Sequence, residues 1–371
     1  MKILHLGKFH PMKGGMERAI LDIVESLSNR GNICDLLCIS TSQPENITLN
    51  KYAHIYSVSS MIQLNSVRLS LSMIFVLRKL CNGYDIIHIH CPNPMACLAL
   101  YLSGYSGKVV LHWHSDILKQ KVLLKFYRPL QSWLINRADI IIGTSPVYLE
   151  ESPFLHSVKR KLKVIPLGVD RVVPRQKGVE SIKKRYNGKK IVFALGRLIA
   201  YKGFRFLIDA AEYLNSEYVV LIGGSGPLYG KLLNHIVEKK LQDKVNLLGA
   251  VPDGDVNDYY GACDVFCLSS IWKTEAFGMV QIEAMSCGKP VVATDIKGSG
   301  VPWVNKHGYS GINVETENPF ALASAIMEIT SSEAKYNIYA SQALQRYNEL
   351  FTKEHMLNEY RKMYASLLEK T

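Results

Sequence analysis

The chain has 371 residues, of which 48% are hydrophobic and 20% charged, and its formal net charge is +12 at pH 7. This length and composition predict two ordinary folded domains and exclude an intrinsically disordered protein. The charge is concentrated in residues 1–170, with 19 Lys and Arg against 11 Asp and Glu, so this half can attract an anionic membrane surface or a phosphate-bearing acceptor.

The first apolar stretch, Met1–Gly7, is short and contains His5, so we interpret it as a strand rather than a secretion signal. Basic residues interrupt the longest apolar run, Val67–Leu80, which argues against a membrane span. The eight cysteines lack zinc-site spacing and lie mostly in or beside apolar strands. They predict a reduced, cytoplasmic protein without a metal centre. The sequence contains no zinc finger, ribonucleoprotein motif or arginine-rich arm, so nucleic-acid binding is not expected.

Short apolar runs alternate with helical patterns through both halves of the chain. The predicted strands are Lys2–Leu6, Cys34–Ser40, Tyr84–His90, Val109–Trp113, Asp139–Thr144, Leu162–Pro166, Ile191–Leu195, Tyr218–Gly223, Val245–Gly249, Asp264–Ser269, Pro290–Thr294 and Gly311–Val314. This alternation predicts an α/β fold of two doubly wound, Rossmann-like parallel-sheet domains. Pro166–Asp170 is the expected hinge between residues 1–170 and 171–350, and residues 351–371 are expected to be helical.

Two motifs in the first half follow predicted strands. Gly14-Gly15-Met16-Glu17 opens a helix, so its glycines can admit a phosphate to the helix N-terminus, although a simple tight turn is the alternative. His112-Trp113-His114-Ser115-Asp116 ends another strand, and a histidine here either faces a ligand or satisfies a core hydrogen bond. Residues 117–137 then form an amphipathic basic pattern, with Pro129 expected to kink or split the helix. Such a segment either contacts a membrane or packs on its own domain.

The second half carries cations and glycines after its strands. Arg197 and Lys202 lie in the loop Gly196–Gly203 and can reach one anion, because Arg offers a planar fork and Lys a point charge. Gly223-Gly224-Ser225-Gly226-Pro227 is a glycine-rich turn after a predicted strand, and its spacing to Gly230 does not match a dinucleotide-binding fingerprint. Asp253 and Asp255 match the spacing of an Asp-x-Asp metal motif, but their position before a helix favours capping.

Two carboxylates eight positions apart flank a glycine in Glu275-Ala-Phe-Gly-Met-Val-Gln-Ile-Glu283. Glu275 is expected in a strand-to-helix loop and Glu283 in a helix of residues 280–287 that ends at Gly288. The helix N-terminus between them offers free N–H groups to a phosphate. The arrangement predicts a site for a sugar nucleotide.

This Glu pair, with Ser269 before it and Gly288-Lys-Pro-Val-Val-Ala-Thr after it, resembles retaining GT-B glycosyltransferases, most closely glycosyltransferase family 4. The resemblance implies two Rossmann-like domains facing a cleft, with the last helix, 351–371, returning to the first domain. It implies a metal-independent enzyme in which Arg197 and Lys202 hold the pyrophosphate, Glu283 binds the ribose, Glu275 binds the transferred sugar and His114 borders it. It places Gly15, Arg197, Lys202, Gly224, Val251, Glu275, Phe277, Gly278, Met279, Val280 and Glu283 at the donor.

The segment Pro302–Gly308, after Gly298-Ser299-Gly300, resembles bacterial surface-polysaccharide transferases that use GDP-mannose or related donors. The resemblance implies transfer of a hexose to a saccharide acceptor, expected to be lipid-linked, during O-antigen synthesis at the cytoplasmic face of the inner membrane. The alternatives are a UDP-sugar-dependent transferase, a non-hydrolysing sugar-nucleotide epimerase of the same architecture, and a non-catalytic binding module.

Overall fold

The computed structural model describes residues 1–10, 15–64, 67–116 and 121–369. The chain divides into two compact units. Unit 1 comprises Met1–Pro166 and Met356–Thr371, and unit 2 comprises Leu167–His355. Among the described residues, no helix combines the length and the apolar character that crossing a bilayer requires.

Unit 1 contains one large sheet and one small hairpin. The strands are β1 Lys2–His10, β2 Ile33–Ser40, β3 Asn46–Asn50, β4 Ala53–Val58, β5 Ile62–Leu64, β6 Val67–Leu69, β7 Ile86–Cys91, β8 Lys108–Trp113, β9 Ile140–Gly143 and β10 Leu162–Val164. The large sheet has the order β10-β9-β8-β7-β1-β2-β4-β3, and β5 pairs with β6. Only the edge strand β3 runs antiparallel to its neighbour in the large sheet. The order reverses direction between β1 and β7, so the carboxyl ends of these two strands lie at the switch point of the sheet.

Helices cover the sheet of unit 1. They are α1 Gly15–Ser28, α2 Leu71–Leu80, α3 Pro94–Ser103, α4 Lys121–Arg137 and α5 Pro146–Glu150. The side chains of Ser70 and Asn93 accept hydrogen bonds from first-turn N–H groups and so cap α2 and α3. Gly104 ends α3 in the left-handed conformation.

Unit 2 is a six-stranded parallel sheet with helices between its strands. The strands are β11 Lys190–Leu195, β12 Tyr218–Gly223, β13 Val245–Gly249, β14 Val265–Leu268, β15 Val291–Thr294 and β16 Gly311–Val314. The helices are α6 Gln176–Arg185, α7 Phe204–Ala210, α8 Tyr229–Glu238, α9 Asp253–Ala262, α10 Met279–Ser286, α11 Val301–Val304, α12 Pro319–Ile329 and α13 Glu333–Leu350. The final helix, α14 Lys353–Glu369, begins in unit 2 and continues in unit 1.

The strand order of unit 2 determines where a ligand can bind. The order is β13-β12-β11-β14-β15-β16, which is the doubly wound order with its switch point between β11 and β14. Ligands of such sheets bind beyond the carboxyl ends of the strands at the switch point. The loops that follow β11 and β14 therefore form the expected site of unit 2.

The prediction of two parallel-sheet, Rossmann-like domains is confirmed, and each predicted strand is present. The strands β3 to β6 were not predicted. The sequences of β3 and β4 mix apolar with polar residues, and β5 and β6 have three residues each, so the apolar pattern is too short and too mixed to distinguish these strands from loop. Pro129 was expected to kink or split its helix, and the helix is not split, because α4 continues through Pro129. Residues 117–120 lie outside the described residues.

The two segments near the unit boundaries run beside each other within unit 2. Val169 and Thr352 form a parallel bridge, and the hydroxyl of Tyr347 donates a hydrogen bond to the Val169 carbonyl at 3.0 Å. A Cβ on Gly168 would lie 2.4 Å from the Thr352 carbonyl oxygen. Glycine is therefore required where these backbones approach.

Candidate active site

The loop after β11 carries both predicted cations. Lys202 ends a single 3-10 turn, Ala200–Lys202, and Gly203 follows it with φ of +64°. A Cβ at Gly203 would lie only 2.0 Å from the carbonyl oxygen of Ser269, and the Ile271 N–H donates to the Tyr201 carbonyl at 2.8 Å. The loops after β11 and β14 therefore pack backbone against backbone, which only glycine at position 203 permits.

The buried carboxylate of Glu275 is the centre of these contacts. Lys202 Nζ lies 2.5 Å from Glu275 Oε2, with each side chain 11% exposed. The hydroxyl of Ser270 donates to the same carboxylate oxygen at 2.9 Å. Glu275 is thus held in one orientation by a charge-assisted hydrogen bond and a neutral one. The prediction had assigned Lys202 to phosphate and Glu275 to sugar, and the structure brings the two side chains together.

A third loop, which follows β15, fixes the backbone around Glu275. The hydroxyl of Ser299 donates to the Glu275 carbonyl, and the Gly300 N–H donates to the Ala276 carbonyl at 2.9 Å. The hydroxyl of Thr294, at the end of β15, donates to the Ser270 carbonyl. The Glu275 loop is therefore held at several backbone positions, and a ligand would meet a preorganised carboxylate.

The N-terminus of α10 lies just beyond Glu275 in the chain. Its N-cap residue is Gly278, with φ of +74° and ψ of 66°, and no side chain of the described residues caps the helix. A Cβ at Gly278 would lie 2.7 Å from Leu268 Cδ2. The N–H groups at Met279 and Val280 lie at the start of the helix, where intrahelical partners are lacking and an anion is favoured.

Arg197 and Tyr201 complete the charged surroundings of this loop. Arg197 is exposed, so its guanidinium is free to turn toward an anion. Burial raises the pKa of Tyr201, the positive charges of Lys202 and Arg197 lower it, and the negative charge of Glu275 raises it. Tyr201 is therefore close to all three predicted charges, although sequence reasoning did not select it.

Glu283 lies in α10 and has a buried partner. The hydroxyl of Tyr260 donates to Glu283 Oε2 at 2.5 Å. Burial raises the pKa of Tyr260 well above its usual value, and the charge of Glu283 adds to this effect, so Tyr260 remains a donor. The hydrogen bond orients Glu283 on the helix, a support that the sequence pattern did not indicate.

The remaining predicted donor residues occupy different environments. Gly224 has φ of +134°, and its Cβ would lie 1.9 Å from the Gly196 carbonyl oxygen. Val251 is partly buried after β13. Phe277 is 4% exposed and packs edge-on against Phe351, with ring centroids 5.9 Å apart. The ring of Phe277 therefore belongs to the core, and only its backbone can serve a ligand.

The glycine motif of the first half is only partly described. Gly15 is the first residue of α1, so its backbone lies at a helix N-terminus, as expected of a phosphate site. Gly14 lies outside the described residues. The motif remains a prediction.

His114 belongs to a cluster of five buried histidines in unit 1. The other members are His5, His88, His90 and His112, and all five are 9% exposed or less. Burial lowers the pKa of His5 and His114 to about 3. Burial and neighbouring imidazoles lower the pKa of His88, His90 and His112 well below the usual value. The cluster is neutral at physiological pH, and sequence reasoning selected only His114.

Asp253 and Asp255 do not cap a helix as expected. Pro252 is the N-cap residue of α9, and both aspartates lie in the first turn. There the positive end of the helix dipole stabilises their negative charges. Asp255 Oδ1 also accepts a hydrogen bond from Arg175 at 2.6 Å. The structure gives these carboxylates a structural role in α9.

Comparison with known proteins matches both halves of the chain. The model of the family described as Glycosyltransferase Family 4 matches residues 13–172, and that of Glycosyl transferases group 1 matches residues 178–346. D-rhamnosyltransferase WbpZ of Pseudomonas aeruginosa is 31% identical over 358 residues, which cover 95% of this chain and 92% of the relative. O-antigen chain mannosyltransferase C of Escherichia coli is 28% identical over 373 residues, covering 100% and 99%.

A solved structure shares the fold over the whole length. Anabaena Alr3699/HepE in complex with UDP has a TM-score of 0.77 and 22% identity, with 99% of this chain and 100% of that chain covered. At this identity the likeness concerns the fold alone.

Proposed function

Because this chain belongs to glycosyltransferase family 4 and has the GT-B fold, we propose that it is a retaining hexosyltransferase acting on an α-linked nucleotide sugar. The donor phosphates bind at the switch point of the unit 2 sheet, between the Arg197–Lys202 loop and the N-terminus of α10. The acceptor is a saccharide hydroxyl. The observation that carries this proposal is the buried pair of Lys202 and Glu275 beside an uncapped helix N-terminus.

The pairing of Lys202 with Glu275 suggests how the donor engages the site. A pyrophosphate at the N-terminus of α10 offers Lys202 a second anionic partner, so the ammonium bridges the phosphate and Glu275. Arg197, which is exposed, closes on the phosphate from solvent. Negative charge grows on the departing diphosphate in the transition state, so these cations stabilise that state more than the bound donor.

The carboxylates bind hydroxyl groups on either side of the diphosphate. Glu283, oriented by Tyr260, accepts hydrogen bonds from the ribose, and Glu275 accepts them from the transferred sugar. Glu275 Oε2 already accepts hydrogen bonds from Lys202 and Ser270, which lowers its nucleophilicity and favours a binding role. His114 contacts the transferred sugar.

The reaction then needs no enzyme nucleophile and no metal ion. The acceptor oxygen forms a bond to the anomeric carbon on the face from which the diphosphate leaves. The bond between that carbon and the phosphate oxygen breaks, and the departing phosphate oxygen takes the acceptor proton. An α-linked donor therefore gives an α-linked product and a nucleoside diphosphate.

We propose GDP-mannose or a related GDP-sugar as donor and a lipid-linked saccharide of O-antigen synthesis as acceptor. The relatives that act on mannose and rhamnose support this choice. A UDP-sugar is the alternative donor, because a protein of the same fold binds UDP. The donor assay therefore includes both a GDP-sugar and a UDP-sugar.

A peripheral position on the inner membrane is supported by an exposed surface of unit 1. Leu71 and Phe75 on α2 are 54% and 68% exposed, and they lie one turn apart on the same helix face. Arg78 and Lys79 continue this face in the last turn of α2. Tyr101 and Leu102 on the adjacent α3 are 54% and 43% exposed. Apolar groups beside basic ones suit an anionic lipid surface.

This surface lies outside residues 117–137, for which the sequence left membrane contact and packing on the own domain as alternatives. Leu134 and Ile135 of α4 are 0% and 4% exposed, so this part of the helix packs on its own unit. Phe75→Glu is expected to weaken cosedimentation with vesicles containing anionic lipid, whereas Lys183→Ala, at an exposed position of unit 2, leaves it unchanged. Equal sedimentation of Phe75→Glu and the unaltered protein would contradict membrane binding through α2.

Transfer is tested by incubating the full chain with GDP-mannose or UDP-glucose, with and without a membrane extract containing glycolipid acceptors. The proposal expects a glycosylated lipid with an α-linkage by NMR, a loss of at least 100-fold in Lys202→Ala, and no change in Lys183→Ala. Conversion of the nucleotide sugar without acceptor into an epimer would indicate the epimerase instead. If neither sugar transfer nor epimerisation occurs with any donor, the chain would be a non-catalytic binding module.

A further inference from the structure

The five histidines of unit 1 lie on one face of its sheet. His5 is in β1, His88 and His90 are in β7, and His112 is in β8, with His114 just after it. His5 is opposite His88 in the register of β1 and β7, and His90 is opposite His112 in that of β7 and β8. Residues two apart in a strand point to the same side, so the set forms one continuous layer.

Two hydrogen bonds join three of these imidazoles into a chain. His5 Nδ1 lies 3.0 Å from His90 Nε2, and His90 Nδ1 lies 2.9 Å from His114 Nε2. A neutral imidazole has one N–H donor and one acceptor nitrogen. His90 uses one nitrogen on each side, so both hydrogen bonds must run in the same direction.

The buried end of the chain decides that direction. His5 Nε2 is buried and has no hydrogen-bond partner among the described residues. A buried N–H without a partner is rarer in proteins than a buried acceptor without one, so the proton of His5 belongs on Nδ1. His5 then donates to His90, and His90 donates from Nδ1 to His114 Nε2. His114 must carry its own proton on Nδ1.

A metal ion fits this layer poorly. Ligand nitrogens of His5, His88 and His90, and of His90, His112 and His114, lie within 4.8 Å of one another. However, neighbouring rings stack, with centroids of His112 and His114 3.8 Å apart at an interplanar angle of 21°. Lone pairs lie in the ring planes, so those of stacked rings do not converge on one ion. Both nitrogens of His90 are also engaged by hydrogen bonds.

We propose that His5 and His90 are positioning residues that fix His114 in the Nδ1–H form, so that His114 presents a hydrogen-bond donor to an oxygen of the transferred sugar. This proposal rests on the proposed function for the identity of the ligand. His88 and His112 stand outside the chain, since they pair with the hydroxyls of Tyr364 and Tyr360 at 2.5 and 3.3 Å.

The tautomer is measured directly by NMR of the full chain labelled with ¹⁵N-histidine. Nitrogen shifts distinguish protonated from unprotonated ring nitrogens, and His114→Gln assigns the His114 signals. The expected result is a protonated Nδ1 and an unprotonated Nε2 at His114. A protonated Nε2 at His114, or stoichiometric Zn²⁺ binding that shifts the histidine signals as a group, would overturn the proposal.

Two substitutions at His5 separate the hydrogen bond from packing. His5→Leu removes the donor, so the His114 signals should show both tautomers and the donor KM should rise about three- to tenfold. His5→Asn places an amide N–H near the position of Nδ1, and it should restore the single tautomer. His88→Leu is the matched control, equally buried but outside the chain of hydrogen bonds, and should leave the His114 tautomer unchanged.

An unchanged His114 tautomer in His5→Leu would contradict the proposal. The NMR result does not require turnover, so it stands apart from the proposed function. A wrong tautomer with intact sugar transfer would reject the histidine chain alone. The predicted tautomer without any transfer or donor binding would reject the assigned ligand and retain the chain.

Discussion

Acidification should unfold unit 1 because its histidines are buried in the neutral form. The pKa of His5 and of His114 is about 3 in the folded protein, against an ordinary value of 6.5. Between these values the unfolded chain binds more protons than the folded one, so the free energy of unfolding falls as pH falls below 6.5. Above pH 6.5 the histidines are neutral in both states, and they no longer lower the free energy of unfolding.

The magnitude follows from the difference between the two pKa values. At pH 5 the unfolded histidine is 1.5 pH units below its pKa, and each unit is worth about 1.4 kcal/mol. Each of His5 and His114 therefore lowers the free energy of unfolding by about 2 kcal/mol between pH 7.5 and 5. Together they lower it by about 4 kcal/mol. The pKa values of His88, His90 and His112 are lowered in the same direction. A loss of this size is a large part of the stability of an ordinary domain.

Hydrogen exchange measured by mass spectrometry at several pH values tests this effect in each unit separately. After correction for intrinsic exchange rates, peptides from β7 and β8 should lose protection between pH 7 and 5. Peptides from β12 are the internal control, because the buried histidines among the described residues all lie in unit 1, whereas β12 belongs to unit 2. His88→Phe should reduce the pH dependence. Equal protection of β7 and β8 at pH 7.5 and 5 would show that the buried histidines do not destabilise unit 1 on acidification.

Three further predictions concern the donor site. Glu275→Gln removes a negative charge 2.5 Å from Lys202 Nζ. A nucleoside diphosphate should then bind about three- to tenfold more tightly by calorimetry, while sugar transfer falls at least 100-fold. Weaker binding would contradict the proposal that Lys202 bridges Glu275 and the phosphate. Gly224→Ala should lower the Tm by several degrees and weaken donor binding, because its Cβ would meet the Gly196 carbonyl, whereas Gly230→Ala, whose Cβ meets nothing within 4 Å, should not; equal effects would exclude the clash. Tyr260→Phe removes the donor to Glu283 and should raise the donor KM about fivefold at constant kcat, and an unchanged KM would show that Glu283 needs no support.

The fold was predictable because its signals are local. Runs such as Tyr218–Gly223 are fully buried strands, and fully buried parallel strands are continuous apolar segments. The end of α10 was also predictable, since Gly288 adopts a positive φ of 67° just after it. In contrast, β3 to β6 are short and contain many polar residues, so tertiary pairing decides their structure more than their own composition does.

The candidate site was predictable where motif residues follow strands and unpredictable where partners come from distant elements. Arg197, Lys202, Glu275 and Glu283 were identified by spacing and by resemblance. Their supports, such as Ser299 and Tyr260, lie in other loops and helices, and no spacing rule connects them. The histidine chain was missed for the same reason, because His5 and His114 are distant in sequence and meet only through the order of strands β1, β7 and β8.

The proposed mechanism requires the nucleoside diphosphate of the donor to bind at the switch point of the unit 2 sheet. A crystal structure of the full chain with GDP or UDP tests it most directly. We expect phosphate oxygens within hydrogen-bond distance of Lys202 Nζ and the Met279 N–H, with the ribose hydroxyls on Glu283. A diphosphate bound away from Lys202 and the start of α10 would contradict it.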